Sequence, residues 1–87
     1  MTKKEKLFQR VKKSSKNVKF QDFCTLMVYF GFLEIRIRGS HHLYQHPLID
    51  EVMNVQPQKD SNAKGYQVQQ FLKLVEIHNL HMDDESE

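Results

Sequence analysis

An α+β fold, with a three-stranded antiparallel sheet carrying helices on one face in the order α-α-β-β-β-α, is what the apolar pattern of this chain predicts. Three observations carry the prediction. Phe20, Phe23, Cys24, Met27 and Phe30 recur at helical spacing, as do Val68, Phe71, Leu72, Val75 and Leu80, which gives two amphipathic helices far apart in the chain. Between them, Leu33, Ile35 and Ile37 alternate with Glu34, Arg36 and Arg38, the period-2 pattern of a half-buried strand. A Gly39-Ser40 bend then joins this strand to a second one, so the pair reads as a hairpin. A run of strands bracketed by helices packs as a sheet covered on one side, which leaves the other face open.

Taken in order, Thr2-Lys3-Lys4-Glu5 has the spacing of a capping box, and Leu7, Phe8 and Val11 form a short apolar stripe behind it. A first helix is therefore expected near residues 3 to 13. Ser14-Ser15-Lys16-Asn17 breaks it, and Val18-Lys19-Phe20 leads into the stronger second helix. Gly31 ends that helix, because the position after a helix commonly takes a left-handed conformation that glycine adopts without strain. Past the hairpin, Pro47-Leu48-Ile49-Asp50 turns the chain, and Glu51 to Gln56 supplies a third strand with Met53 and Val55 on one face. Pro57 stops it, having no amide hydrogen for a ladder. The last helix starts near Lys64, with Gln67, Gln69 and Gln70 expected on its solvated face. Residues 1–82 are expected to form one domain, 1–17 being an additional basic N-terminal helix, and the tail 83–87 is expected to be disordered.

Composition narrows the function classes. A chain of 87 residues holds one domain with a small core. Its single cysteine, Cys24, excludes an internal disulfide, and with no apolar leader the chain is expected to be cytoplasmic. No run approaches the roughly 18 to 20 apolar residues of a membrane span. The formal net charge is +2, but the tail Asp83-Asp84-Glu85-Ser86-Glu87 carries four acids, so residues 1–82 stand at +6. A basic body suits a polyanionic ligand. Eight of the first nineteen residues are lysine or arginine against one acid, Glu5. Such a run either contacts phosphates or is an ordinary solvated helix face.

The chemistry should lie in Gly39-Ser40-His41-His42-Leu43-Tyr44-Gln45-His46-Pro47, where three imidazoles fall within six residues. Imidazole has an ordinary pKa of about 6.5, which suits proton transfer at neutral pH. Gly31-Phe32, the arginine-bearing strand, Gly39-Ser40-His41-His42-Leu43-Tyr44 and the following His46-Pro47 resemble the HicA family of toxins, also called YcfA-like mRNA interferases. The resemblance covers roughly Val18 to Leu80. It implies a fold similar to a double-stranded-RNA-binding domain and metal-independent cleavage of mRNA by a histidine of the Gly-Ser-His-His motif. It further implies neutralisation by a HicB-type antitoxin, and it makes His41, directly after Gly-Ser, the preferred general base over His42.

The residues themselves allow that chemistry. In an extended strand His41 and His42 point to opposite faces, and His42 and His46 stand about 13 Å apart at roughly 3.3 Å per residue. Ligands to one zinc lie only about 2 Å from it, so no metal site is expected, and no cofactor. A neutral imidazole can take the proton of a ribose 2′-hydroxyl, with a gain of about 10² to 10⁴ in rate. Arg36 and Arg38 are the cations nearest to the charge that builds on the phosphorane. Gly39 lets the backbone approach a phosphate and Ser40 can orient a neighbouring imidazole. Tyr44 either stacks on a base or packs in the core. Which imidazole reaches the open face depends on Leu43: if it faces the helices, His41 points inward and His42 shares the open face with Tyr44. The alternatives to a nuclease are a non-catalytic RNA-binding module of similar fold and an adaptor whose open face or edge takes another protein chain.

Overall fold

The computed structural model describes residues 2–82, so the acidic tail expected to be disordered lies outside the described residues. The element order is α1 (Lys3–Lys13), α2 (Phe20–Tyr29), β1 (Leu33–Arg38), β2 (His41–Gln45), β3 (Val52–Val55) and α3 (Gly65–Ile77). The three strands form one antiparallel sheet in the order β1-β2-β3, an α+β fold. No helix among the described residues is long and apolar enough to cross a membrane.

The capping box exists as read: Thr2 Oγ1 accepts from the Glu5 amide at 3.2 Å, and the Glu5 carboxylate accepts from the Thr2 amide at 3.3 Å. Both otherwise unpaired donors of the first turn are thereby satisfied. Helix α1 is fastened to the body through Val11, which is fully buried, and through Phe8, whose ring meets Phe30 edge-on at 4.9 Å. Gln69 of α3 adds a bond to Ser15 at 3.1 Å. The helical stripes read from the sequence converge on Phe71, which touches Phe23, Phe30 and Phe32 at ring distances of 5.6 to 5.8 Å. These rings and the core-facing side chains Tyr44, Met53 and Val55 of the sheet make one buried cluster.

At Gly31 the backbone has φ +97°, and a Cβ there would meet the His46 ring nitrogen Nε2 at 3.0 Å. The glycine is needed twice over, for its backbone and for the space. His46 itself is buried; its Nε2 lies 3.0 Å from the Phe30 carbonyl, and its Nδ1 accepts from the Leu48 amide at 3.1 Å. It staples the end of α2 to the turn after β2. In this neutral ring Nε2–H donates and Nδ1 accepts.

Two expectations for the sheet need correction. Leu33, Ile35 and Ile37 do not form a buried stripe: all of β1 is exposed, these three at 60, 53 and 54 %. β1 is an outer strand of the sheet, and a β-bulge also breaks its alternation. Glu34 pairs with Tyr44 and Arg36 with Leu43, so Ile35 is an extra residue in the ladder. A bulge slips the alternation by one, and every later side chain changes face. The second correction concerns Gln67, expected on the solvated face of α3 but only 6 % exposed. Its amide nitrogen donates to the Asn54 carbonyl and its oxygen accepts from the Gln56 amide, both at 3.1 Å. Gln67 thus acts as the missing neighbour of β3, whereas no side chain among the described residues occupies the edge of β1 in this way.

Candidate active site at the hairpin bend

The bulge decides what meets at the bend. With strict alternation Glu34, Arg36 and Arg38 would share a face; the slip sends Glu34 to the core side with Tyr44, and Arg36 and Arg38 to the open side. Arg38 is the cross-strand partner of His41, and Arg36 that of Leu43. Tyr44 is 4 % exposed, and its partner Met53 and the nearby Val55 are fully buried, which fixes the inward face of β2. His42 therefore points to the core side, and His41, Leu43 and Gln45 point outward. The arrangement in which Leu43 faces the helices is not the one adopted. Of the two roles open to Tyr44, packing is the one its ring performs here.

The bend is Gly39-Ser40, with Gly39 at φ +59° and no atom within 4 Å of a Cβ built on it. Here glycine serves the left-handed turn and leaves open space beside the histidines. Ser40 is exposed.

Each imidazole has its Nδ1 engaged by a different partner. Nδ1 of exposed His41 lies 3.0 Å from Oδ1 of Asn54. An amide oxygen only accepts, so this bond puts the proton on Nδ1, and in the neutral ring Nε2 is then the nitrogen that can accept one. Nδ1 of His42 lies 2.8 Å from the Glu34 carboxylate, with the two side chains 25 and 35 % exposed. The His42 ring also meets Phe20 of α2 edge-on at 5.1 Å. His42 consequently ties β2 to both β1 and α2, whereas His41 is held at one atom and open elsewhere.

Asn54 escaped the sequence reading. The alternation placed it opposite Met53 and Val55, but its partnership with His41 depends on the register between β2 and β3, which no local pattern encodes. Glu34 was likewise read as one of three polar residues on a single face. Beneath it, burial pushes the Tyr44 phenol well above its ordinary value, with smaller contributions in the same direction from Cys24 and Glu34. Burial also raises the Cys24 thiol, against a lowering hydrogen bond from Tyr44. Cys24 is thus kept in its thiol form, a small core group rather than a nucleophile.

The open side of the sheet has two ends. Near the bend stand Arg36, Arg38, His41 and Asn54; at the far end Leu33 and Val52 remain exposed. The first end is cationic and polar, the second apolar. His41 and His42, on opposite faces, cannot grip one ion together.

A family model described as the HicA toxin of bacterial toxin-antitoxin systems matches residues 20–77, more than half of the chain. Comparison with curated proteins and with solved structures gives no match. The matched stretch runs from the start of α2 to the end of α3 and contains the whole sheet, the bend and both histidines. The chain belongs to the HicA toxin family.

Proposed function

We propose that this toxin is an endoribonuclease that cleaves mRNA in the cytoplasm without a metal, with His41 as general base. The observation that carries this reading is the bond from His41 Nδ1 to Asn54 on the open face, beside the guanidinium-bearing partner Arg38. Nε2 of His41 takes the proton of a ribose 2′-hydroxyl, and the freed oxygen attacks the adjacent phosphorus. The bond to the 5′ oxygen breaks, that oxygen takes a proton from solvent, and a 2′,3′-cyclic phosphate and a 5′-hydroxyl result. Arg38 and Arg36 stabilise the extra charge on the phosphorane. Gly39 and Ser40 let the backbone of the substrate come close to the bend.

Family membership brings an antitoxin partner with it, and a HicB-type protein is the one we assign. Its place is the open face, where the exposed Leu33 and Val52 offer apolar area next to the cationic end. A cover seated there hides His41.

A second reading rests on the 2.8 Å contact between His42 and Glu34. A carboxylate behind an imidazole is the arrangement that orients a general base in catalytic triads, so His42 is the alternative base. Incubating RNA with the protein in excess chelator, beside His41→Ala and His42→Ala, separates the readings. We expect cleavage to fall by about 10² to 10⁴ in His41→Ala and to fall far less in His42→Ala. The reverse ranking assigns the base to His42. Binding without cleavage by the unmodified protein makes the chain a non-catalytic RNA-binding module, and neither activity makes it an adaptor.

A further inference from the structure

The positive charge of this protein is not where its proposed chemistry is. Of its thirteen lysines and arginines, eight lie in residues 3–19, with Glu5 the lone acid among them. The family-matched stretch 20–77 holds five basic residues against six acids, a net −1. By itself that stretch offers a polyanion no net attraction beyond the local pair Arg36 and Arg38. We propose that α1 and the turn after it, outside the matched stretch, form the RNA-docking surface of this toxin and hold the phosphate backbone flanking the cleaved nucleotide.

Three features support an RNA-docking role rather than a loose solvated tail. Helix α1 is rigidly attached, capped by Thr2 and Glu5 and anchored by Val11 and Phe8. Its charges are therefore presented at fixed spacing, which phosphate tracking requires. Lys3, Lys6, Lys13, Lys16 and Lys19 have no carboxylate or ring partner among the described residues, whereas Arg10 is paired with Asp22 at 3.1 Å and Lys12 lies over Phe8. The free cations also come up to the bend from the covered side of the sheet: Lys19 caps α2 immediately before Phe20, whose ring rests on His42, so RNA held there passes around the bend to reach His41 on the open face. A membrane surface is the weaker partner, because insertion needs the apolar face of α1, which is already packed on the body.

This inference rests on the RNA-cleaving reading, and its test keeps the two apart. Lys3, Lys6, Lys13 and Lys16 are changed together to Gln, a good helix former that leaves the packed face untouched, with circular dichroism to check the fold. Binding of a single-stranded RNA oligonucleotide is titrated against salt in the His41→Ala background, and cleavage kinetics are measured with His41 present. We expect the slope of log affinity against log salt to become shallower by about three, at about 0.7 for each of the four contacts to a single strand, and affinity near 0.1 M salt to fall several hundredfold. KM should rise with little change in kcat, since the lost contacts hold substrate and transition state alike. If the protein with its native lysines binds RNA but the variant keeps the same slope and KM, the docking role is overturned while the nuclease reading stands. Unchanged RNA binding with lost affinity for anionic lipid vesicles moves the charge to a membrane and also overturns it. No RNA binding by either protein removes both readings.

Discussion

Replacing Gln67 with Leu tests whether a side chain on α3 holds the outer strand of the sheet. The two residues are close in length and volume, so the change opens no large cavity; it removes the acceptor for the Gln56 amide and the donor to the Asn54 carbonyl, each bonded at 3.1 Å. A buried polar group left unpaired costs about 1 to 3 kcal/mol. Because this edge is only partly buried, the lower end of that range applies, about 1 to 1.5 kcal/mol each, giving about 2 to 3 kcal/mol for the two groups. A domain of this size has roughly 5 to 15 kcal/mol in all. The melting temperature should fall by roughly 10 to 20 °C at about 4 to 8 °C per kcal/mol, read by circular dichroism on heating and confirmed in urea. Gln67→Glu is the informative companion: it keeps an acceptor for Gln56 but sets a carboxylate against the Asn54 carbonyl. At neutral pH it should destabilise at least as much as Leu. The introduced carboxyl is favoured in its protonated form by the fold, which raises its folded-state pKa, so the deficit should shrink as pH falls through that raised value toward the ordinary glutamate value of about 4.3 and level off below it. A loss under about 0.5 kcal/mol for Gln67→Leu, the range of ordinary surface substitutions, would refute the reasoning. Function should follow stability here, because the Asn54 that Gln67 anchors by its backbone is the residue that orients His41.

Other outcomes follow from the same geometry. Arg38→Ala should leave the melting temperature within a few degrees and lower kcat by about ten- to a hundredfold, since an exposed cation is worth less than the 10² to 10³ of an enclosed oxyanion donor; an unchanged kcat removes Arg38 from the site. Gly31→Ala should cost about 2 kcal/mol in urea denaturation, from left-handed strain and the clash with His46; a neutral effect would mean that His46 is free to move away. In alkali, stability should start to fall above the ordinary thiol value of 9.0 and fall further above the ordinary phenol value of 10.0, because both groups have raised folded-state values and the fold favours their neutral forms. Tyr44→Phe should remove the second part of that decline, and an identical pH profile would contradict it.

The helices were legible because their signal is local. The capping box, the stripe from Phe20 to Phe30 and the stripe from Val68 to Leu80 each need only a few turns of chain to declare themselves, and Lys3–Lys13, Phe20–Tyr29 and Gly65–Ile77 are the result. The hairpin was legible for the same reason, as was the grouping of Met53 with Val55. Where the reading went astray, the cause was a relation between distant strands. Alternation in Leu33 to Arg38 is real as a sequence pattern, but the extra residue at Ile35 breaks its meaning, and nothing in the six residues announces a bulge. Gln67 looked like a solvated residue because its partners belong to another strand's backbone. Asn54 drew no role from the sequence, because its bond to His41 is a matter of register. Family resemblance supplied the preferred base where alternation alone left His41 and His42 open.

Everything proposed for catalysis converges on one atom, the 2′-hydroxyl whose proton His41 removes. An RNA oligonucleotide cleaved at a single position, remade with a 2′-deoxyribose on the 5′ side of that bond and incubated with the protein in chelator, examines that atom directly. The deoxy-substituted oligonucleotide should stay intact alongside complete cleavage of the all-ribose control to a cyclic phosphate. Cleavage of the deoxy-substituted bond at a comparable rate would contradict it.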